Sequence, residues 1–246
     1  MKGAILSINP AASIVDITHE IPPQNIQAAA FNLLASYEDF PAGTIHVAVV
    51  DPGVGSDRRP ILIECAKQVF VGPDNGIFSW VCEREKQFRA FHLTNHEFFR
   101  DPVSNTFHGR DIFAPVAAAL SNGVSPEEFG PLIDGLIQLA SLKPKTGDKG
   151  MTEASIIHID RFGNCITNLT RDDFDQRGLS GAELSVNGRQ VSSQRDFFAD
   201  GGAKTELFCV FGSAGYLEIA AQNYSAATIL GVQPGQPVIL VSRRVD

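Results

Sequence analysis

The chain has 246 residues, 43% of them hydrophobic and 20% charged, a globular composition with enough apolar surface for a buried core and too much of it for a disordered chain. Its 20 basic and 28 acidic side chains leave a net charge of −8 with no Lys/Arg stripe, which disfavours a nucleic-acid partner. The apolar run after Lys2 is broken by Asn9, Pro10 and Asp16 too soon for a signal peptide or membrane span, and Cys65, Cys82, Cys165 and Cys209 show no Cys-x-x-Cys spacing. A cytoplasmic protein with reduced core thiols is expected, with no disulfide framework and no zinc ribbon.

In chain order, residues 3–8 are short and mostly apolar, Asn9-Pro10 breaks them, and 13–17 reads as a buried strand ending at Thr18-His19. Pro22-Pro23-Gln24-Asn25 starts a helix over 26–37, with Ile26, Ala30, Phe31, Leu33 and Leu34 mostly on one face and Pro41-Ala42-Gly43 ending it. Residues 45–50 form an apolar, β-branched run closed by Asp51-Pro52-Gly53, the pattern of a buried parallel strand feeding a functional loop. Strands follow at 61–65 and 69–71, and a helix at 112–120. This alternation predicts an N-terminal α/β domain, residues 1–142, on a mostly parallel sheet.

The polar, Pro/Gly-containing stretch SLKPKTGDKG, 141–150, marks the expected boundary. Beyond it, short β runs at 155–159, 184–186, 207–211, 216–220 and 238–241, separated by Gly- and Asp-rich turns, predict a smaller all-β, barrel-like domain over 150–246. No internal repeat or low-complexity tract is present.

Two segments of the first domain bring together groups that can do chemistry. VVDPGVGSDRR, 49–59, sets a carboxylate at a strand end before a glycine-bearing loop and two guanidinium groups, and its Gly53 and Gly55 match neither dinucleotide nor phosphate-loop spacing. Spacing alone favours an ordinary tight loop with an exposed Asp/Arg pair. NTFHGRDIFAP, 105–115, places His108 and Asp111 ahead of an apolar helix, where Asp111 also reads as a helix N-terminal carboxylate and His108 as a loop histidine. His92 and His96 have i, i+4 spacing without an evident third ligand, so no metal is expected. In the second domain, IDRFGNCITN, 159–168, combines Asp160, Phe162 and Asn164 around a glycine, and GSAGYLEIA, 212–220, sets Ser213 on a turn. An aromatic face beside an amide and a carboxylate suits an adenine or amino-acid ligand, and also an ordinary β-turn.

Six segments in this order, VDITHEIPPQNIQAAAF, GTIHVAVVDPGVGSDRR, VGPDNGIFS, FHGRDIFAPVAA, IDRFGNCITNL and GSAGYLEIA, resemble the SAM hydroxide adenosyltransferases, adenosine-forming SAM hydrolases related to fluorinases and chlorinases. The resemblance implies hydrolysis of S-adenosyl-L-methionine (SAM) to adenosine and L-methionine, without cofactor or metal. It also implies a homotrimer with its sites between subunits. It assigns Asp51, Arg58 and His108 to catalysis, Phe107 to the wall beside the reacting carbon, and Asp160, Phe162, Asn164 and Ser213 to the methionine and adenosine ends.

Family members open with a strand ending in a Thr-Asp-Phe-Gly-like motif whose Asp contacts the ribose. This sequence begins at the Met1-Lys2-Gly3 that follows it, so a fold short of its first strand is expected. The halogenase relatives are the second reading, although they carry an aromatic at the position of Asp51 and a halide-binding Ser at that of Gly109. An inactive SAM- or adenosine-binding protein, and a metal-dependent hydrolase using Asp51 with His46 or His108, complete the alternatives.

Overall fold

The computed structural model describes residues 1–147, 151–177, 179, 182–198, 203 and 205–241. The chain forms two compact units, Met1–Ser141 and Leu142–Asp246. Residues 148–150 of the predicted boundary and 242–246 at the end of the predicted second domain lie outside the described residues.

In the first unit, α1 (Lys2–Ile8) lies beside a later helix through Asn9, whose amide donates to Ser121 Oγ at 2.9 Å. Residues 13–17, expected as a buried strand, form none, and Val15 and Ile17 are exposed. A strand is held by its ladder hydrogen bonds, and an alternating apolar pattern without a paired neighbour does not make one. Asn25 caps α2 (Ile26–Leu34) by accepting from Ala28 N at 2.9 Å, and the helix buries Phe31, Leu33 and Leu34. β1 (Ile45–Val47), β2 (Pro60–Cys65) and β3 (Gln68–Pro73) follow, then α3 (Ser79–Glu85) and β4 (Phe88–His92). A π-helical turn, Gly109–Phe113, leads into α4 (Ala114–Ser121).

The sheet order is β1-β3-β2-β4, and here the expectation of a mostly parallel sheet is corrected. Only β1 and β3 are parallel, whereas β2 pairs antiparallel with both β3 and β4. Cys65 pairs with Gln68 across a two-residue turn, Ala66-Lys67, in which both residues have positive φ. A two-residue connection can join only antiparallel neighbours, and this left-handed pair has the twist that suits a hairpin. The core against α4 is built from Leu62, Val71, Phe91, Phe113, Val116 and Phe129, each at most 1% exposed.

The second unit consists of β5 (Lys145–Thr146), β6 (Thr152–Ile159), β7 (Cys165–Thr170), α5 (Arg171–Gln176), β8 (Glu183–Val186), β9 (Arg189–Val191), β10 (Leu207–Phe211), β11 (Tyr216–Ala221), α6 (Ala226–Leu230) and β12 (Pro237–Val241). The strands pair antiparallel in the order β10-β11-β7-β6-β12-β8-β9, with β5 on β6. The chain after β9 turns onto β10: Arg195 N donates to Cys209 O at 2.9 Å and Cys209 N to Ser193 O at 2.8 Å. These bonds bring the two sheet ends together as a nearly closed barrel around Ile156, Leu169, Val186, Leu217, Ile219 and Leu240. The strand β7 was not expected, because Thr167 and Asn168 interrupt its apolar pattern. Both are buried and satisfied: Thr167 Oγ1 donates to Leu217 O at 2.7 Å, and Asn168 Oδ1 accepts from Ser155 N at 2.7 Å. Among the described residues no helix is long and apolar enough to cross a membrane.

Candidate active site

Asp51 lies four residues beyond the end of β1. The strand continues beside β3 through Ala48 N, which donates to Val71 O at 3.1 Å, and Asn75 holds the strand end by donating to Val50 O at 2.8 Å. The following loop doubles back, with Ser56 Oγ donating to Gly53 O at 2.6 Å, and brings Arg58 onto Asp51. Arg58 Nε donates to Asp51 Oδ1 at 2.9 Å, and Nη2 donates to Oδ2. This two-pronged geometry fixes both planes. The two side chains are only 7% and 5% exposed, and the guanidinium lies 5.3 Å from the centroid of the Phe113 ring.

The same Nη2 meets His108 Nδ1 at 2.7 Å. Arginine is a donor only, so Nδ1 must accept, and the imidazole is neutral with its proton on Nε2. Burial and the neighbouring Arg58 charge both hold the His108 pKa below the ordinary histidine value. Arg58 Nη1 is buried without a hydrogen-bond partner among the described residues. Nη1 is thus an unspent donor of a buried guanidinium, and Nε2–H a second donor on the imidazole that the same guanidinium holds.

His108 is positioned by the turn that begins at Phe107, whose carbonyl accepts from Arg110 N and Asp111 N, both at 3.0 Å. The Phe107 ring is exposed, with the Arg110 guanidinium 5.1 Å from its centroid. Asp111, 1% exposed, accepts from Arg110 Nε at 2.6 Å and from Ser104 N at 2.9 Å. The Arg110 contact first, helped by Ser104, lowers its pKa to about 2. Asp111 thus anchors the loop ahead of His108 to the helix start, and sequence alone left it as one of two readings.

In the second unit, Asp160 organises a tight loop. Its Oδ1 accepts from Phe162 N at 2.9 Å and Asn164 N at 2.8 Å, and its Oδ2 from Asn164 Nδ2 at 2.9 Å. Gly163 has φ +84°, and a Cβ there would overlap Ser225, so the loop needs glycine at this point. The result is a buried Asn164 and a Phe162 ring that is 80% exposed. Asp160, Phe162, Asn164 and Ser213 line one pocket of about 760 Å³. Glu218 lines it too; it lies in the GSAGYLEIA segment, in which the sequence singles out Ser213 alone, and its signal is a lone carboxylate inside the apolar run YLEIAA.

His46 is buried elsewhere, its Nε2 3.1 Å from Gln68 Oε1 and its ring stacked on Phe70 with centroids 4.8 Å apart. His92 ends β4 while His96 begins a separate 3-10 turn, so their spacing is not that of one helix face. Among the described residues no group of three His, Cys, Asp or Glu side chains converges as a metal site.

Models of the SAM hydroxide adenosyltransferase N-terminal and C-terminal domains match residues 1–130 and 154–239. The chain belongs to the SAM hydroxide adenosyltransferase family. It is 35% identical to an (R)-S-adenosyl-L-methionine hydrolase of Thermus thermophilus, over 98% of this chain and 92% of that protein. A Methanocaldococcus jannaschii protein of the same name is 36% identical over 94% of this chain and 86% of its own length. A crystal structure of an uncharacterized conserved protein from Thermotoga maritima superposes with a TM-score of 0.89 at 34% identity, covering 97% of this chain and 92% of that one. Fluorinases are more distant, at 25% identity for that of Actinoplanes sp..

Proposed function

We propose that this family member hydrolyses SAM to adenosine and L-methionine, with Asp51, Arg58 and His108 as its catalytic set. The observation that carries the reading is the hydrogen-bonded chain Asp51–Arg58–His108, assembled from two distant motifs inside a full-length family match. A water oxygen forms a bond to the ribose 5′ carbon while the C5′–S bond breaks and sulfur takes the electron pair. The leaving group is a cationic sulfonium that departs as a neutral thioether, so it needs no acid and the reaction needs no cofactor.

What the reaction needs is an aligned nucleophile. Arg58 Nη1 and His108 Nε2–H are the two donors that hold the water and stabilise its hydroxide character. Arg58 cannot accept a proton and the one lone pair of His108 Nδ1 is engaged, so we assign the water's proton to the Asp51 carboxylate, whose two oxygens accept from Arg58 yet each keep a further lone pair. A positioned base contributes about 10²- to 10⁴-fold, whereas alignment contributes up to roughly 7–11 kcal/mol, so positioning contributes more to the rate than proton transfer does. Phe107 supplies an apolar wall, and Asp160, Phe162, Asn164 and Ser213 hold the methionine and adenosine ends.

A homotrimer with sites shared between subunits is part of the same proposal, tested by light scattering of the purified protein. We place the protein in the cytoplasm, a setting supported by its four buried free thiols.

The deciding assay incubates the protein with both sulfonium epimers of SAM, with and without chloride and chelator, and separates the products. Adenosine and methionine in every condition are the expected result. A chlorinated nucleoside formed only with chloride would establish a halogenase, although Asp51 rather than an aromatic at the site opposes it. Binding without turnover would establish an inactive binding protein, and loss of activity to chelator a metal-dependent hydrolase. The metal reading is opposed by the Arg58 cation that already engages both Asp51 and His108.

A further inference from the structure

The segment VGPDNGIFS is one of the six that carry the family resemblance, yet none of its residues belongs to the catalytic set. It runs from the end of β3 into the turn Pro73-Asp74-Asn75-Gly76, and this turn grips both ends of the loop that carries Asp51 and Arg58.

At the first end, Asn75 Oδ1 accepts from Ile77 N at 3.2 Å, which turns Nδ2 toward Val50 O, 2.8 Å away and next to Asp51 in the chain. Gly72 lets the same strand end come close, since a Cβ there would lie 2.4 Å from Ala48 O. At the second end, Asp74 holds Arg59, the residue after Arg58. Asp74 N donates to Arg59 O at 2.9 Å, and Asp74 Oδ2 accepts from Arg59 Nε at 2.9 Å and from Nη2 at 2.5 Å. The Asp74 side chain, 2% exposed, is itself pinned by Ile137 N, which donates to Oδ1 at 2.9 Å. Two consecutive residues of one turn therefore fix the carbonyl before Asp51 and the residue after Arg58.

An arginine stem is flexible, so contact with a carboxylate does not by itself decide where the rest of the guanidinium points. Fixing both ends of the loop does decide it. Misplacing an aligned group by about 1 Å can cost roughly 10²-fold in rate, so these anchors bear directly on turnover.

We propose that Asp74 and Asn75 are positioning residues for the hydrolysis, holding the two ends of the 51–58 loop so that Arg58 meets Asp51 and His108 at once. The assignment rests on the hydrolase reading of that set. Because both residues act through the loop, their loss slows turnover and leaves the affinity for the nucleoside unchanged.

Asn75→Asp is nearly isosteric, keeps the acceptor for Ile77 N and loses the donor to Val50 O. Its kcat for SAM hydrolysis, per mole of folded protein, should fall about 10- to 100-fold, with the Kd for adenosine within about 3-fold of wild type. Arg59→Lys, at a side chain 31% exposed, loses the two-pronged contact with Asp74 and should lower kcat about 3- to 10-fold with the same unchanged Kd. In Arg58→Met protein, which has no pair left to position, Asn75→Asp should lower the residual kcat by less than about 3-fold more. Circular dichroism gives the folded fraction, and Arg59→Lys decides alone if Asn75→Asp does not fold. An unchanged kcat, a Kd for adenosine that weakens as much as kcat falls, or a full further loss in the Arg58→Met background overturns the assignment and leaves the turn a support of the fold, while SAM cleavage by wild type keeps the hydrolase reading. A wild type that does not cleave SAM overturns both.

Discussion

Replacing Arg58 by methionine removes the guanidinium that joins Asp51 to His108 while keeping an unbranched side chain to pack against Phe113. Asp51, with a 5% exposed side chain, is then left as a carboxylate without its two-pronged partner. Breaking a buried ion pair by removing one partner costs about 3–5 kcal/mol, and this low exposure argues for the upper part of that range. The single tryptophan, Trp80, is 2% exposed in the first unit, so urea unfolding followed by its fluorescence reports on the unit that carries Arg58. The double variant Asp51→Asn/Arg58→Met no longer holds an unpaired charge and should recover about 2–3 kcal/mol of the loss, a coupling that a double-mutant cycle measures. Activity should behave differently. Loss of preorganised donors should lower kcat about 10²- to 10³-fold, and the double variant, which lacks the proposed proton acceptor as well, should stay inactive. An Arg58→Met protein destabilised by under about 1 kcal/mol, or a double variant no more stable than the single, would show that Asp51 and Arg58 are not the buried, coupled pair described here.

His108→Gln should lower kcat for SAM hydrolysis while leaving its equilibrium Kd within about 3-fold, because in the proposed mechanism His108 orients water and does not hold substrate. The lowered folded-state pKa of His108 means that the unfolded chain binds more protons below the ordinary histidine value, so this residue makes stability fall as pH drops through that range. The acid limb of kcat/KM should fall in the same direction, and His108→Gln should remove it; an unchanged limb would assign it to another group. Glu218 acts with the opposite sign. Its pKa is raised from 4.5 to about 7, so the folded state keeps a proton that the unfolded state has lost, and stability declines as pH rises across that window. After discounting for its partial exposure, Glu218→Gln should be about 1–2 kcal/mol more stable than wild type at pH 8 and nearly equal to it at pH 4, measured by circular dichroism. Gly163→Ala should cost at least ~1 kcal/mol, since alanine is strained at φ +84° and its Cβ would overlap Ser225. The displaced 160–164 loop should also weaken SAM binding, and a Gly163→Ala protein with unaltered stability and Kd would show that the loop does not depend on glycine there.

Local chemistry in the sequence determined a good deal of this protein. Asn25 capping α2, the apolar run into Asp51 and the short β runs of the second unit all rest on interactions between near neighbours, and they are visible without a fold. The motifs that carry Asp51, Arg58, His108, Asp160 and Asn164 were legible for the same reason, although spacing alone fits an ordinary loop or turn at each of them, and favours it at Asp51 and Arg58. Only the tertiary structure decided the rest. It brought Arg58 to His108 across fifty residues, and so fixed which imidazole nitrogen accepts a hydrogen bond. It made the first sheet mostly antiparallel, because the left-handed pair Ala66-Lys67 closes a hairpin between two strands expected in a mostly parallel sheet. It left residues 13–17 out of the sheet, because a strand is set by its partners and not by its own alternation. Glu218 shows the limit most clearly: its place in an apolar strand was plain from the sequence, but the pocket it shares with Asp160 and Asn164 joins segments that only folding brings together.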